Sequence, residues 1–411
     1  MLKRIRTQQL AVGMYISEFC GSWMEHPFWR THFLLKDAKD LRRILDSNVQ
    51  EVWIDASKGL DIASDADAMS ESDSAAEVER VIEIAKTAAP TTTRVSISEE
   101  LERATLICSR AREAVTAMFQ EARLGHAVDT AVAQKVVQEI TDSVARNAEA
   151  LISLARIKTA DDYTYMHSVA VCALMVALGR RLGLDEKTIS AIGEAGLLHD
   201  VGKAMIPLSV LNKPGRLTEK EFDVVRGHPA AGYEILRISP GVSAEALDVC
   251  LHHHEKTDGS GYPKRLDAKT ISLAAKMGAV CDVYDAITSN RPYKRGWDPA
   301  ESIHKMAGWA EGHFDIQVFQ AFVKSLGIYP VGSLVKLSSE RIGVVTEQGT
   351  GSLLMPRVKV FFDTRLHRHI QPEMVDLSAG GNNEKIESRE DPEQWHFPGL
   401  NALWSGQPHL A

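Results

Sequence analysis

Apolar residues recur at helical spacing through the middle of the chain and at strand spacing only towards its two ends. Between residues 161 and 326 the pattern predicts helices over Asp161–Leu182, Asp185–Leu198, Thr218–Leu236, Ala244–His253, Ile271–Thr288 and Pro299–Lys305. Short polar connections join them, and no alternating strand pattern interrupts them. Upstream, Ser96–Leu124 and Val128–Arg156 predict two long helices divided at Gly125, with Ser98, Glu99 and Glu100 where capping residues belong. Residues 96–160 read as a helical lead-in packed on the main block, and the competing reading is a coiled coil between domains.

The ends differ. Residues 1–62 read as a small α+β domain, with strand character at Leu10–Ile16 and Val49–Ile54 and a helix between Asp37 and Asp46 that places Leu41, Ile44 and Leu45 on one face. Trp23 to Trp29 is aromatic and contains Pro27, so it reads as a loop whose Trp23, Phe28 and Trp29 feed the small core. Residues 63–95 begin acidic and rich in serine and alanine, and are expected to be a flexible linker. After the helices, Gly332–Leu337, Gly343–Thr346 and Val358–Phe362 are β-like runs, giving a small β appendage over 327–378. The polar remainder, 379–411, is expected to be disordered. The fold class expected is mainly α, with a small α+β N-terminal domain and a short β appendage at the C-terminus. No internal repeat is visible.

Composition narrows the function. The chain has 411 residues, enough for two or three domains, with 44% apolar and 25% charged residues, ordinary values for a globular protein. A net charge of −8 argues against a nucleic-acid polymer as partner but leaves room for a local basic pocket that takes a small phosphodiester. The five cysteines are scattered with no CxxC, as in a reduced cytosolic protein. The N-terminus lacks a signal-peptide core, and the longest apolar run, Val169–Gly179, is too short to span a bilayer, so a cytoplasmic location without membrane attachment is expected.

The chemistry lies in the helical block. The apolar Ala195–Leu198 runs directly into His199-Asp200-Val201-Gly202-Lys203. A carboxylate buried there without a partner would cost several kcal/mol, and a metal ion would supply that partner. His228, the run His252-His253-His254-Glu255, the turn Asp258 to Pro263, and Asp282-Val283-Tyr284-Asp285 follow in order. A surface histidine run or a lone packed histidine such as His167 would each be unremarkable; their conjunction along consecutive helices is what a metal site inside a bundle needs. Imidazole and carboxylate donors without cysteine favour iron, manganese or zinc.

These motifs, in this order over Asp161–Ala307, resemble the HD-GYP branch of the HD phosphohydrolases. The match also takes in Ile206-Pro207, Lys213-Pro214-Gly215, Leu217-Thr218 and Arg291-Pro292-Tyr293-Lys294. The resemblance implies an HD-type multi-helix catalytic domain and hydrolysis of the bacterial second messenger cyclic di-GMP to pGpG, and in some members on to GMP. It implies metal ligands at His167, His199, Asp200, His228, His253, His254 and Asp282, with Asp200 bridging two divalent ions that share a hydroxide. Lys203 would contact a phosphate oxygen or move a proton, oriented by Asp285. Arg291 and Lys294 would contact phosphate, and Gly261, Tyr262 and Pro263 would shape the cleft. Residues 1–62 resemble an uncharacterised module that often precedes this domain.

One position departs from the pattern. Some members carry a glutamate four residues before the first ligand histidine and bind a third metal; here Tyr163 stands there, so two ions are expected. Two other readings compete with an active phosphodiesterase. One is a binding or scaffold protein in cyclic di-GMP signalling, which the complete ligand set disfavours. The other is a general nucleotide phosphohydrolase, against which the Gly-Tyr-Pro turn and the Arg291/Lys294 pair count. Protein partners in that signalling and a homodimer are left open.

Overall fold

The first strand is one that hydrophobic alternation does not announce. In β1 (Leu2–Arg6) both Lys3 and Arg4 are buried, because each meets an anion or a carbonyl: Lys3 pairs with Asp61 at 2.7 Å, and Arg4 approaches Glu51 at 3.4 Å and donates to the Gly308 carbonyl at 2.6 Å. The computed structural model describes residues 1–21, 26, 28, 32–47, 49–62, 68–86, 95–157, 163–213, 217–289, 296–349 and 352–407. β1 joins β2 (Tyr15–Phe19), β3 (Phe33–Leu34), β4 (Glu51–Asp55) and β5 (Met69–Ser70) in an antiparallel sheet of order β3-β2-β4-β1-β5, with Leu2 opposite Asp55 and Arg6 opposite Glu51. Helix α1 (Ala38–Leu45), capped by the Asp37 carboxylate on the Lys39 N–H at 2.8 Å, contributes Ile44 to a core of Ile5, Ile16, Val52 and Ile54. Phe28 joins that core; Trp23 and Trp29 lie outside the described residues.

The expected acidic linker is in part a structured element. β5 runs directly into α2 (Glu71–Lys86), whose Val78, Val81 and Ile82 are buried in the main core. Averaged composition hid this short apolar stripe. Residues 63–67 and 87–94 lie outside the description.

Helices α3 (Ile97–Arg123) and α4 (Thr130–Arg156) pack along each other. α3 starts on a capping box of Ser96 and Glu99 rather than on Ser98. α4 is interrupted at Asn147 (φ −158°, ψ 104°), whose amide donates to the Val95 carbonyl at 3.1 Å. Helix α5 (Tyr163–Arg181) is apolar on every side from Val169 to Leu178 and is buried, as such a helix must be. Around it lie α6 (Glu186–Leu198), a 3-10 turn (Val201–Met205), α7 (Leu208–Leu211), α8 (Glu219–Arg226), α9 (His228–Arg237), α10 (Ala244–His252), α11 (Leu273–Thr288), α12 (Pro299–His313) and α13 (Ile316–Leu326). The single helix expected over Thr218–Leu236 is two, α8 and α9. Pro229, near the start of α9, has no N–H with which to continue α8.

A second antiparallel sheet, of order β10-β6-β7-β8-β9, comprises β6 (Leu334–Leu337), β7 (Arg341–Glu347), β8 (Arg357–Asp363), β9 (Arg368–Asp376) and β10 (Ile386–Arg389). The tail expected to be disordered supplies β10 and the short helices α14 (Pro392–Trp395) and α15 (Leu400–Ser405). Trp404 and Phe397 are buried, and Trp395 stacks on Phe397 at 5.6 Å. Three aromatic residues suffice to hold a segment that is otherwise polar. The architecture is therefore mainly α, with the α+β module at one end of the chain and a β appendage at the other. Among the described residues, no helix is long and apolar enough to cross a membrane.

Candidate metal centre

Three helices end at the same place, and each is followed by a histidine. His199 follows α6, His228 follows α8 and Gly227, and His253 follows α10. The last carbonyls of a helix lack intrahelical partners. Here they accept from the imidazoles: Nδ1–H of His199 donates to Gly196 at 2.8 Å, that of His228 to Val225 at 2.7 Å and that of His253 to Val249 at 2.9 Å. A carbonyl only accepts, so Nδ1 carries the proton and Nε2 presents a bare lone pair. His167 on α5 reaches the same state by another route, donating Nδ1–H to Asp285 Oδ2 at 2.6 Å. Such a hydrogen bond behind the ring is what aims a histidine at a metal.

The four bare Nε2 atoms converge on two carboxylates. Asp200 Oδ2 lies 3.4 Å from Nε2 of His167 and 3.4 Å from Nε2 of His199. Its other oxygen, Oδ1, lies 3.1 Å from Nε2 of His228 and 3.8 Å from Nε2 of His253. Asp282 Oδ1 is 2.9 Å from His167 Nε2 and 3.8 Å from His199 Nε2, and Asp282 Oδ2 is 3.9 Å from His254 Nδ1. Potential ligand atoms thus group as His167, His199 and Asp282 on one side and His228, His253 and His254 on the other, with Asp200 between them.

Electrostatics favour a cation within this arrangement. His167, His199, Asp200, His228, His253 and Asp282 are at most 2% exposed. His199 Nε2, Asp200 Oδ1 and Asp282 Oδ2 are buried with no hydrogen bond. The Nε2 atoms of His228 and His253 face each other at 3.2 Å, two lone pairs that repel unless a proton or a cation lies between them. Burial, reinforced by His199 and His228, pushes the His253 imidazole down to about 3; burial and His253 likewise push His254 down. Burial opposes ionisation of Asp200, but Lys203 and His199 outweigh it, and His167 does the same for Asp282, so both carboxyls stay well below the usual range. Those anions pull His199 up against its own burial. The thiols of Cys250 and Cys281 are pushed up by burial and stay protonated, leaving nitrogen and oxygen donors that fit a divalent ion.

Comparison with known proteins agrees with this geometry. Residues 2–133 match a family described as a domain of unknown function (DUF3391), and residues 139–318 match the HD domain. A cyclic di-GMP phosphodiesterase of Pseudomonas aeruginosa is 54% identical over 407 residues, covering 99% of this chain and 96% of that one. The chain belongs to the HD-GYP family. A cyclic di-GMP phosphodiesterase response regulator of Xanthomonas campestris is 43% identical over 40% of this chain and 44% of its own length. A 3'3'-cGAMP-specific phosphodiesterase of Vibrio cholerae is 33% identical over 43% of this chain and 41% of its own length. HD-domain hydrolases of this kind are metal-dependent, and this chain has the histidine–aspartate cluster to match.

As an HD-GYP protein the chain brings together His167, His199, Asp200, His228, His253, His254 and Asp282. Lys203 pairs its ammonium with Asp200 and lines the adjoining cleft. Asp285 differs from its expected place. It lies one turn after Asp282 on α11, accepts from His167 and receives the Ser289 hydroxyl at 3.4 Å, so it backs His167 rather than Lys203. Tyr262 stacks on His254 at 4.7 Å. Gly261 allows that turn, because a Cβ there would lie 2.4 Å from the Glu255 Cα and the Lys256 nitrogen. Arg291 and Lys294 lie outside the described residues, as does the side chain of Tyr163. Sequence reasoning passed over Arg226, Lys256 and His313, which line the same cleft. Lys256 directly follows the histidine–glutamate run, and that adjacency was the available signal.

Proposed function

We propose that this HD-GYP protein is a metal-dependent phosphodiesterase that hydrolyses cyclic di-GMP to pGpG, with GMP as the further product to be tested. The observation that carries this reading is Asp200, whose two oxygens address two separate histidine groups. The identity over the full length to a named cyclic di-GMP phosphodiesterase supports the same substrate.

On this reading His167, His199 and Asp282 hold one divalent ion, His228, His253 and His254 hold a second, and Asp200 serves both. Iron and manganese suit such a nitrogen–oxygen donor set. Bound ions of this kind acidify water and draw charge from phosphoryl oxygens. The protein's own part is positional. Carbonyls and Asp285 fix the rings. Lys203 at the cleft wall presents a point charge to the phosphoryl oxygens as negative charge develops. Arg291 and Lys294 are assigned to phosphate contacts, and the Gly261-Tyr262-Pro263 turn forms one side of the cleft. The protein would act on the bacterial messenger in the cytoplasm, and a homodimer and protein partners in that signalling remain proposals.

The test is hydrolysis of cyclic di-GMP by anaerobically purified protein loaded with iron or manganese, with metal content measured in parallel. His199→Ala combined with Asp200→Ala is the control. Turnover to pGpG by the wild type and none by the control is expected. Absence of turnover with two ions bound per chain would overturn the reading and favour a binding role.

A further inference from the structure

The cleft beside the metal centre carries a second set of polar groups to which the hydrolytic chemistry gives no role. His313 is the last residue of α12 and is held there by an over-determined backbone. The helix breaks at Glu311 (ψ 122°) and Gly312 (φ +82°). The Gly312 carbonyl accepts the Asp258 N–H at 2.9 Å, and the His313 carbonyl lies 3.4 Å from the Thr257 nitrogen. The imidazole stacks on Phe314 at 4.2 Å, and Phe314 stacks in turn on Phe319 at 5.8 Å. Its ring nitrogens make no hydrogen bond or ion pair among the described residues, although the ring lines the cleft. A helix broken in this way to present an unengaged imidazole to a substrate cleft reads as a binding device.

Lys256, buried at 6% exposure, lines the same cleft, and its charge acts on His313. The neighbouring Glu255 is committed elsewhere: Oε1 accepts from Lys264 N–H at 2.6 Å and Oε2 from Leu266 N–H at 2.9 Å. Flat groups line the same cleft. Tyr262 lies against His254, with the Arg226 guanidinium 4.8 Å from the Tyr262 ring centre and Phe222 alongside. Side-chain donors in a cleft that also carries the flat Arg226 guanidinium and the Phe222 ring suit a planar nucleobase.

We propose that Lys256 and His313 read the acceptor edge of a substrate guanine, its O6 and N7, and so set the base preference of the enzyme; this rests on the cyclic dinucleotide reading above. Guanine offers two adjacent acceptors on that edge, whereas adenine offers one acceptor and one donor. Two side-chain donors can satisfy the first and leave an unmatched polar contact with the second. Burial, and then the Lys256 charge, push His313 well below its ordinary value, so the ring is neutral and donates one N–H. A neutral ring suits a base edge and would be a weak counter-charge to phosphate.

The experiment compares kcat/KM for cyclic di-GMP, 3'3'-cyclic GMP-AMP, cyclic di-AMP and the base-free diester bis(p-nitrophenyl) phosphate. The wild type, Lys256→Ala and His313→Phe are assayed with metal content matched. His313→Phe keeps an aromatic ring on Phe314, which guards against simple unfolding. Each variant is expected to lose cyclic di-GMP turnover relative to the base-free diester by about 10- to 100-fold, chiefly through KM, and to move the guanine-to-adenine ratio towards one. Equal losses on the guanine and adenine dinucleotides would overturn the proposal in favour of a phosphate contact. Equal losses on all four substrates would overturn it in favour of a structural role. Failure of the substrate reading looks different: the wild type then cleaves bis(p-nitrophenyl) phosphate and neither guanine dinucleotide.

Discussion

Replacing Asp285 isolates the contribution of a residue that touches no ion itself. Its carboxylate accepts the His167 Nδ1–H at 2.6 Å, and both partners are about 2% exposed. Asp285→Ala leaves that N–H buried without this acceptor, a cost of about 1–3 kcal/mol. The ring also loses the contact that keeps its proton on Nδ1 and its lone pair on Nε2. Loss of such an outer-shell partner typically weakens metal affinity about 10- to 100-fold, equivalent to roughly 1.4–2.8 kcal/mol. Asp285→Asn keeps the shape and can still offer a carbonyl oxygen, so a smaller loss, about tenfold, is expected. Ser289→Ala, which removes a 3.4 Å contact to the other oxygen of the same carboxylate, should weaken metal binding less than Asp285→Ala does. The assay is competition for manganese or zinc against a chromogenic chelator, with circular dichroism to confirm folding. A folded Asp285→Ala protein that holds metal as tightly as the wild type would refute the argument that His167 is aimed from behind.

Two further predictions address how the site is supported. Gly202→Ala would place a Cβ 1.9 Å from the His228 carbonyl oxygen and 2.4 Å from the Gly232 nitrogen. Backbone cannot yield there, so α9 must move away and take His228 with it; a loss of about 1–3 kcal/mol in thermal or urea unfolding, with reduced metal retention, is expected. Glu100, fully buried, accepts from Arg146 at 2.7 and 2.8 Å and from Ser143 at 2.8 Å, so Glu100→Ala should cost about 1–3 kcal/mol by leaving the half-buried Arg146 guanidinium and the buried Ser143 hydroxyl without this acceptor. Although burial opposes it, the Arg146 and Ser143 contacts hold the Glu100 carboxyl below its ordinary value. Its stabilising contribution is therefore complete above the unfolded-state pKa and is lost as pH falls through the lower folded one. Urea titrations below about pH 5 should show the wild type converging on Glu100→Gln, and a constant gap between them would count against this assignment.

Much of the architecture was legible because apolar surface must be buried. The all-apolar stretch from Val169 to Leu178 could only be a central helix, and it is α5. The clustering of histidines and aspartates was legible because polar groups that terminate apolar helices are costly to bury unless they meet one another around a cation. What escaped the sequence was decided by tertiary partners. β1 was invisible because Lys3 and Arg4 are buried only by virtue of Asp61, Glu51 and the distant Gly308 carbonyl. α2 and the tail were obscured because a few apolar or aromatic residues in polar surroundings are diluted by any average. Asp285 was paired with Lys203 on the resemblance alone, and the spacing that sets it one turn after Asp282 does not say that α5, with His167, is the helix facing it. His313 lies beyond the motif that drew attention to the rest.

The core that holds α5 also includes Val78, Val81 and Ile82 of α2, the buried face of α3, and Trp404 near the end of the chain. The two family matches divide the chain between residues 133 and 139, yet that line falls inside α4, along which α3 packs. A recombination event at the family boundary would therefore strip the hydrolase of the helix that covers it. The physical seam runs elsewhere, between β5, which closes the first sheet, and α2, which is already part of the larger core. A crossover near Ser70 and Glu71 would keep both cores whole, so the family match and the packing draw this protein's modular boundary in different places.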